Sequence, residues 1–157
     1  RLAKSLFSLT AIKHSPSEGG VAMAMEGGKK REELIRQLKH SRTLPEIQAT
    51  YTALGGDRET VSLLTQVLGT EEMSLRWKAA VALSDIGSGA VEDLIRCLTD
   101  EKSCVRSSAA WVLGNIGDGR AIRPLEKVLG DRTLEVRKEA TEALRKLTRG
   151  RELTPSA

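Results

Sequence analysis

Aromatic residues are scarce in this chain. Phe7, Tyr51, Trp77 and Trp111 are all it has, 3% of 157 residues. A core without aromatics is built from aliphatic side chains and alanine, which suits close helix packing better than a β-sandwich. There are two cysteines, Cys97 and Cys104, and they match no metal or redox spacing, so nothing points to an oxidising compartment. Cys97 falls in an apolar helix column and reads as a small buried thiol, while Cys104 sits near a helix start and is expected to be partly exposed. His14 and His40 stand apart, each followed by serine, so the clustered donors of a zinc site are missing. The stretch "EGGVAMAMEGG" lacks the lysine and the following Ser/Thr of a phosphate-binding loop, and its glycines read as flexibility. No apolar run approaches the roughly 18 residues of a membrane span. The start, "RLAKSLFSLTAIKH", has neither a continuous apolar region nor a small-residue cleavage site, so no secretory signal is read. The absence of an initiator Met reads as a trimmed start or a fragment. These absences lead to the expectation of a cytoplasmic protein that is not an enzyme, with no catalytic residue, no metal, no cofactor and no membrane contact.

What the chain has is repetition. One segment type reads "TLPEIQATYTALG" from Thr43, "LRWKAAVALSDIG" from Leu75, "VRSSAAWVLGNIG" from Val105 and "VRKEATEALRKLT" from Val136. Apolar positions align at Ile47, Ala79, Ala109 and Ala140, at Tyr51, Leu83, Leu113 and Leu144, and at Leu54, Ile86, Ile116 and Leu147. Their internal spacing of four then three is that of one helix face. Gly55, Gly87 and Gly117 close three copies where a left-handed cap residue belongs. A second type reads "REELIRQL" from Arg31, "VSLLTQVL" from Val61, "VEDLIRCL" from Val91 and "IRPLEKVL" from Ile122, with starts 30, 30 and 31 residues apart. Its leucine columns are Leu34, Leu64, Leu94, Leu125 and Leu38, Leu68, Leu98, Leu129. A single helix pair cannot bury its apolar stripe, whereas stacked pairs share a continuous core.

The fold class expected is therefore all-α, a short right-handed solenoid of stacked helix pairs with second-type helices on the concave side. Helices are expected near 2–13, 32–40, 44–55, 59–68, 74–86, 90–99, 104–116, 120–130 and 134–148. Residues 1–30 form an N-terminal helix and a flexible Gly/Met arm, 31–148 the repeat domain, and 149–157 a polar tail. "VRSSAAWVLGNIGDGRAIRPLEKVLGD" resembles the HEAT-like repeat of the phycobilin-lyase type, closely from Leu75 to Leu147 and more loosely from Thr43 to Leu68. The resemblance implies the solenoid and, by default, protein binding; it does not imply the lyase reaction, because fold alone does not settle function. A related HEAT-like family, the deoxyhypusine hydroxylases, holds iron with paired His-Glu steps, and no His-Glu occurs in this sequence.

Charge is unevenly spread under a net +4. Residues 29–42 hold six basic and two acidic side chains, 46–104 five and ten, and 120–151 ten and five. Arg76, Arg106 and Arg137 recur at first-type helix starts, with Asp100 and Asp131 six residues before two of them, which suggests a structural Arg–Asp ladder. Arg36, Gln66, Arg96 and Lys127 share one place in the second-type helices, with Glu92 and Arg123 a turn earlier in two of them. This column reads either as a groove for an acidic segment or as long side chains lying over the core with their heads in water. Trp77 is a candidate partner anchor, and Trp111 is expected to pack between repeats. Asp85, before Ile86, is a candidate buried carboxylate. Val21, Met23 and Met25 form an apolar patch on the arm, and Leu144 and Leu147 are expected to be partly uncovered at the end of the stack. The function expected is a non-catalytic protein–protein scaffold or assembly subunit. It would bind a partner with an acidic segment through its concave face and arm, and self-associate through its ends. Nucleic-acid binding is the alternative, with bilin handling behind it.

Overall fold

The computed structural model describes residues 27–54 and 57–152. The expected helix over 2–13, the arm residues Val21, Met23 and Met25, and Gly55 lie outside them. Eight α-helices follow in chain order among the described residues: α1 Gly27–His40, α2 Leu44–Ala53, α3 Arg58–Val67, α4 Met73–Ile86, α5 Val91–Cys97, α6 Ser103–Ile116, α7 Ile122–Val128 and α8 Leu134–Glu152. Single 3₁₀ turns lead into α5 and α7. The molecule is an α-solenoid. First-type helices α2, α4, α6 and α8 stack in one layer, and α1, α3 and α5 in the other, each second-type helix also packing on a first-type neighbour.

Local chemistry sets the helix limits. Thr43 and Glu46 form a capping box at α2, with Glu46 N donating to Thr43 Oγ1 at 3.4 Å and Thr43 N donating to Glu46 Oε2 at 3.3 Å. Asp57 caps α3 by accepting from Thr60 N at 2.9 Å. Gly87 and Gly117 end α4 and α6 at φ 71° and 76°, a region costly for any residue with a Cβ. Two limits differ from the sequence expectation. α1 begins at Gly27 instead of near 32, so the last part of the expected arm is helical: the buried Lys30 ammonium pairs with Glu59 of α3 at 2.8 Å and with its cap residue Asp57 at 3.4 Å, tying this extra turn down. α8 runs to Glu152, so the expected polar tail begins as helix.

The leucine columns are the core. Leu34, Leu64, Leu94 and Leu125 are fully buried, as are Leu38 and Leu68, with Ala79, Ala109 and Ala140 opposite them in the first-type helices. Burying a leucine side chain contributes about 1.5–3 kcal/mol, so these columns dominate stability. Leu129, the last member of its column, is 40% exposed, because no further repeat follows it among the described residues. Leu147 is not uncovered as the sequence suggested: it is 4% exposed, and Leu144 is half-buried, because α8 packs against both α6 and α7.

Candidate functional site

The expected column does not form a row of free charges. Arg36, Gln66, Arg96 and Lys127 are all exposed, on α1, α3, α5 and α7. Arg36 binds Glu33 on its own helix, with Nη2 2.6 Å from Oε2, and Arg96 pairs in the same way with Asp93. Both acids sit three residues earlier, where helical spacing brings them alongside. Glu92 meets Arg120 of the next repeat at 3.0 Å. Arg123 and Lys127 form no ion pair among the described residues. Lys127 edges an apolar hollow of about 270 Å³ between α5 and α7, with Ile95, Leu98, Pro124 and Val128. The stripe of cations thus narrows to its α7 end.

The Arg–Asp ladder exists at one rung. Arg106 is 5% exposed and reaches forward to Asp131, with Nε 2.7 Å from Oδ2 and Nη2 2.9 Å from Oδ1. Its Nη1 donates to the carbonyls of Asp100 and Glu101 at 2.8 and 2.9 Å. The guanidinium fork is thereby almost fully used. Its hydrogen bonds to Asp131 hold that carboxyl down to about 2. Arg137, on the final described helix, has only carbonyl partners, Asp131 at 2.7 Å and Arg132 at 3.2 Å. Arg76 breaks the pattern, with its Nε buried and without a hydrogen-bond partner among the described residues.

Arg76 instead lines a groove of about 240 Å³ on the first-type layer. α6 forms its floor with Ser107, Ser108 and Trp111. α4 forms one wall with Met73, Arg76, Trp77 and Ala80, and α8 the other with Glu135 and Glu139. Trp77 is 52% exposed and Met73 76%, whereas Trp111 is half-buried against the core. Burial and the neighbouring Glu135 charge push the Glu139 carboxyl above the usual range. Sequence reading separated Trp77 from Trp111 by role. The structure puts both in one depression and adds Glu135 and Glu139, which no sequence signal singled out.

A second hollow, about 360 Å³, lies between α2 and α4, lined in part by Leu44, Tyr51, Val81 and Asp85. Asp85 is not buried as expected but exposed. It accepts from the Tyr51 hydroxyl and from Gln48 Nε2 at 3.1 Å. Burial, with the Asp85 bond and charge behind it, pushes the Tyr51 phenol up to about 12. Cys97 and Cys104 are both half-buried, and desolvation raises the Cys97 thiol.

Residues 88–145 match the family model for HEAT repeats, and residues 75–100 match that for the PBS lyase HEAT-like repeat. Deoxyhypusine hydroxylase of Drosophila melanogaster is 34% identical over 92 residues, covering 55% of this chain and 30% of that protein. Human deoxyhypusine hydroxylase, solved in complex with glycerol, superposes with a TM-score of 0.55 at 21% identity, over 83% of this chain and 48% of that one, and shows the fold alone. A designed armadillo repeat protein gives a TM-score of 0.45 at 21% identity, over 73% of this chain and 62% of that one. The chain spans less than half the length of either hydroxylase. The curated relative is an enzyme, which overturns the expectation of a non-catalytic scaffold and with it the expectation that the chain is no enzyme. The missing His-Glu steps led to that expectation, whereas the similarity to the enzyme is spread over 92 residues of repeat sequence. The iron centre that the resemblance attaches to those enzymes does not fit the described residues. Their one histidine, His40, is exposed with Nδ1 2.7 Å from the Arg36 carbonyl, and no group of three or more His, Cys, Asp or Glu among them could hold a metal.

Proposed function

We propose that this HEAT-like repeat protein is the repeat portion of an enzyme of the deoxyhypusine hydroxylase kind, and that its described residues hold and orient the substrate protein. The observation that carries the reading is the 34% identity over 92 residues to such an enzyme. No group of three or more His, Cys, Asp or Glu among the described residues could hold a metal, and the reading gives them the substrate and not the metal. Within this reading the α7 end of the inner column, Arg123 and Lys127, is the proposed contact for an acidic stretch of the substrate protein. Arg36 and Arg96 contribute less, because each is already neutralised by an acid on its own helix. The proposed setting is the cytoplasm; no helix of the described residues is long and apolar enough to cross a membrane.

The test is a binding titration of the whole chain against one substrate protein in two forms, carrying deoxyhypusine or unmodified lysine. A preference on the order of tenfold for the deoxyhypusine form, about 1.4 kcal/mol, is expected. Mass spectrometry of the same mixtures reads whether an oxygen atom is added. Equal affinity for the two forms, with no oxygen gained, overturns the reading.

A further inference from the structure

We propose that the groove between α4 and α8, floored by α6, is a docking site for a basic peptide segment in which an arginine or lysine stands beside an apolar side chain. The site lies on the first-type layer, away from the inner column, and does not depend on the enzyme reading.

The two walls differ in chemistry. The α4 wall carries Met73 and Trp77, two of the large apolar side chains that the described residues leave in water. Isolated exposed apolar residues are ordinary, but here two converge on one groove whose floor presents a second tryptophan, Trp111. Tryptophan gives a broad apolar contact at little cost in side-chain freedom, which is why it is enriched where interfaces concentrate their energy. The α8 wall carries Glu135 and Glu139. Neither forms an ion pair among the described residues, and Glu139 feels the Glu135 charge more than the Lys146 charge that opposes it. A cation placed between them would remove that repulsion, and the indole faces would favour the same charge. Arg76, on the opposite wall, sets the direction of the occupant. It repels a basic side chain from the α4 side, so the cation is steered toward α8 and the apolar neighbour toward Met73 and Trp77. A lone amine would leave the apolar wall unused, and an acidic peptide would meet the glutamates.

Trp77 and Trp111 are the two tryptophans of the sequence, so intrinsic fluorescence reads this groove without a label. The probe is an acetylated, amidated hexapeptide of alternating leucine and arginine, titrated into the whole chain. The control replaces arginine with glutamate. A saturable change in emission is expected with the arginine peptide and none with the control. Affinity should fall on the order of tenfold in the E135Q/E139Q double variant, and by a similar factor in Trp77→Ala followed through Trp111. Both variants alter residues on the groove, and circular dichroism confirms that the helices remain. Raising the ionic strength should weaken the remaining affinity in the wild type more than in the double variant. No saturable change, an equal response to the glutamate peptide, or undiminished affinity in the double variant overturns the proposal. So does an emission shift that tracks protein concentration and doubled mass without peptide, which would make a second copy of the chain the occupant.

Discussion

The step from α6 to α8 and the step from α4 to α6 occupy the same register of the repeat and are built differently. At the first, Gly114 faces Ala143 so closely that a Cβ added to it would lie 2.7 Å from the Ala143 Cα. Arg106 crosses to Asp131 with two hydrogen bonds and reads two carbonyls of its own loop. One repeat earlier the equivalent positions hold Ser84 and Val112, larger side chains than Gly114 and Ala143. Asp100 still caps its loop by accepting from Lys102 N at 2.8 Å, as Asp131 does from Thr133 N, yet Arg76 leaves its Nε unpaired and lines the outer groove. A repeat therefore fixes where a side chain starts and leaves open what it reaches. At the step that closes tightly the arginine is spent on structure, and at the other Arg76 is left facing the groove.

Removing the arginines one at a time sharpens the contrast most. Arg106→Ala should lower unfolding stability by about 3–5 kcal/mol, because it leaves the Asp131 carboxylate, whose side chain is only 10% exposed, without its charge partner. Arg76→Ala should cost less than about 1 kcal/mol, since it abandons no ion pair and removes an unsatisfied buried donor. Urea denaturation of the two variants checks both, and equal losses would mean that the two rungs are equivalent in solution. Next in size is the exchange of the close-approach residues. Gly114→Ser should destabilise by about 1–3 kcal/mol through overpacking against Ala143, whereas Ser84→Ala should stay within about 1 kcal/mol, giving up one bond to the Ala80 carbonyl at 3.0 Å.

Titration offers a gentler probe of the α6–α8 step and of the α2–α4 step at the other end of the stack. Asp131 is more acidic folded than unfolded, so its contribution is present above its ordinary value of 3.8 and is lost as pH falls from there toward about 2. Asp131→Asn should flatten that part of the acid stability profile. Tyr51 behaves in the opposite sense in the N-terminal step. Its folded value of about 12 lies above the ordinary 10.0, so its contribution is intact below pH 10 and is lost as pH rises between the two. Tyr51→Phe should remove that alkaline dependence while costing only about 1 kcal/mol at neutral pH, the worth of one hydrogen bond. The smallest effect belongs to the inner column. Charge reversal at Lys127 should weaken substrate-protein binding in the titration above, whereas reversal at Arg96 should matter less, because Asp93 already neutralises it.

Much of the architecture was legible in the residues. The leucine columns, the alanine face and the glycine closures each depend on helical spacing or on a single backbone conformation, and α2 to α7 lie close to where that spacing puts them. Function was less legible. The absence of His-Glu steps argued for a scaffold, but a donor motif speaks only for the residues that carry it, and the identity to an enzyme is spread over 92 residues. Asp85 read as a buried carboxylate because it stands before Ile86 where the repeat usually carries a small or neutral residue; it is exposed instead, and Tyr51 and Gln48 of α2 meet it.

The sequence by itself determined the helices, their caps and the faces they bury, since these follow from contacts within a few residues and from the transfer of leucine and alanine out of water. Tertiary structure alone decided the polar outcomes. Arg36, Arg96 and Lys127 look alike in a column, but acids one turn away neutralise two of them and leave the third. Arg76 and Arg106 look alike at helix starts, but only Arg106 finds a carboxylate across the next loop. Trp77, Trp111, Glu135 and Glu139 share a groove because α6 lies between α4 and α8. Apolar burial is non-directional and tolerates a pattern, whereas a hydrogen bond or an ion pair requires two particular groups within about 3 Å, and that distance is set by how the helices stack.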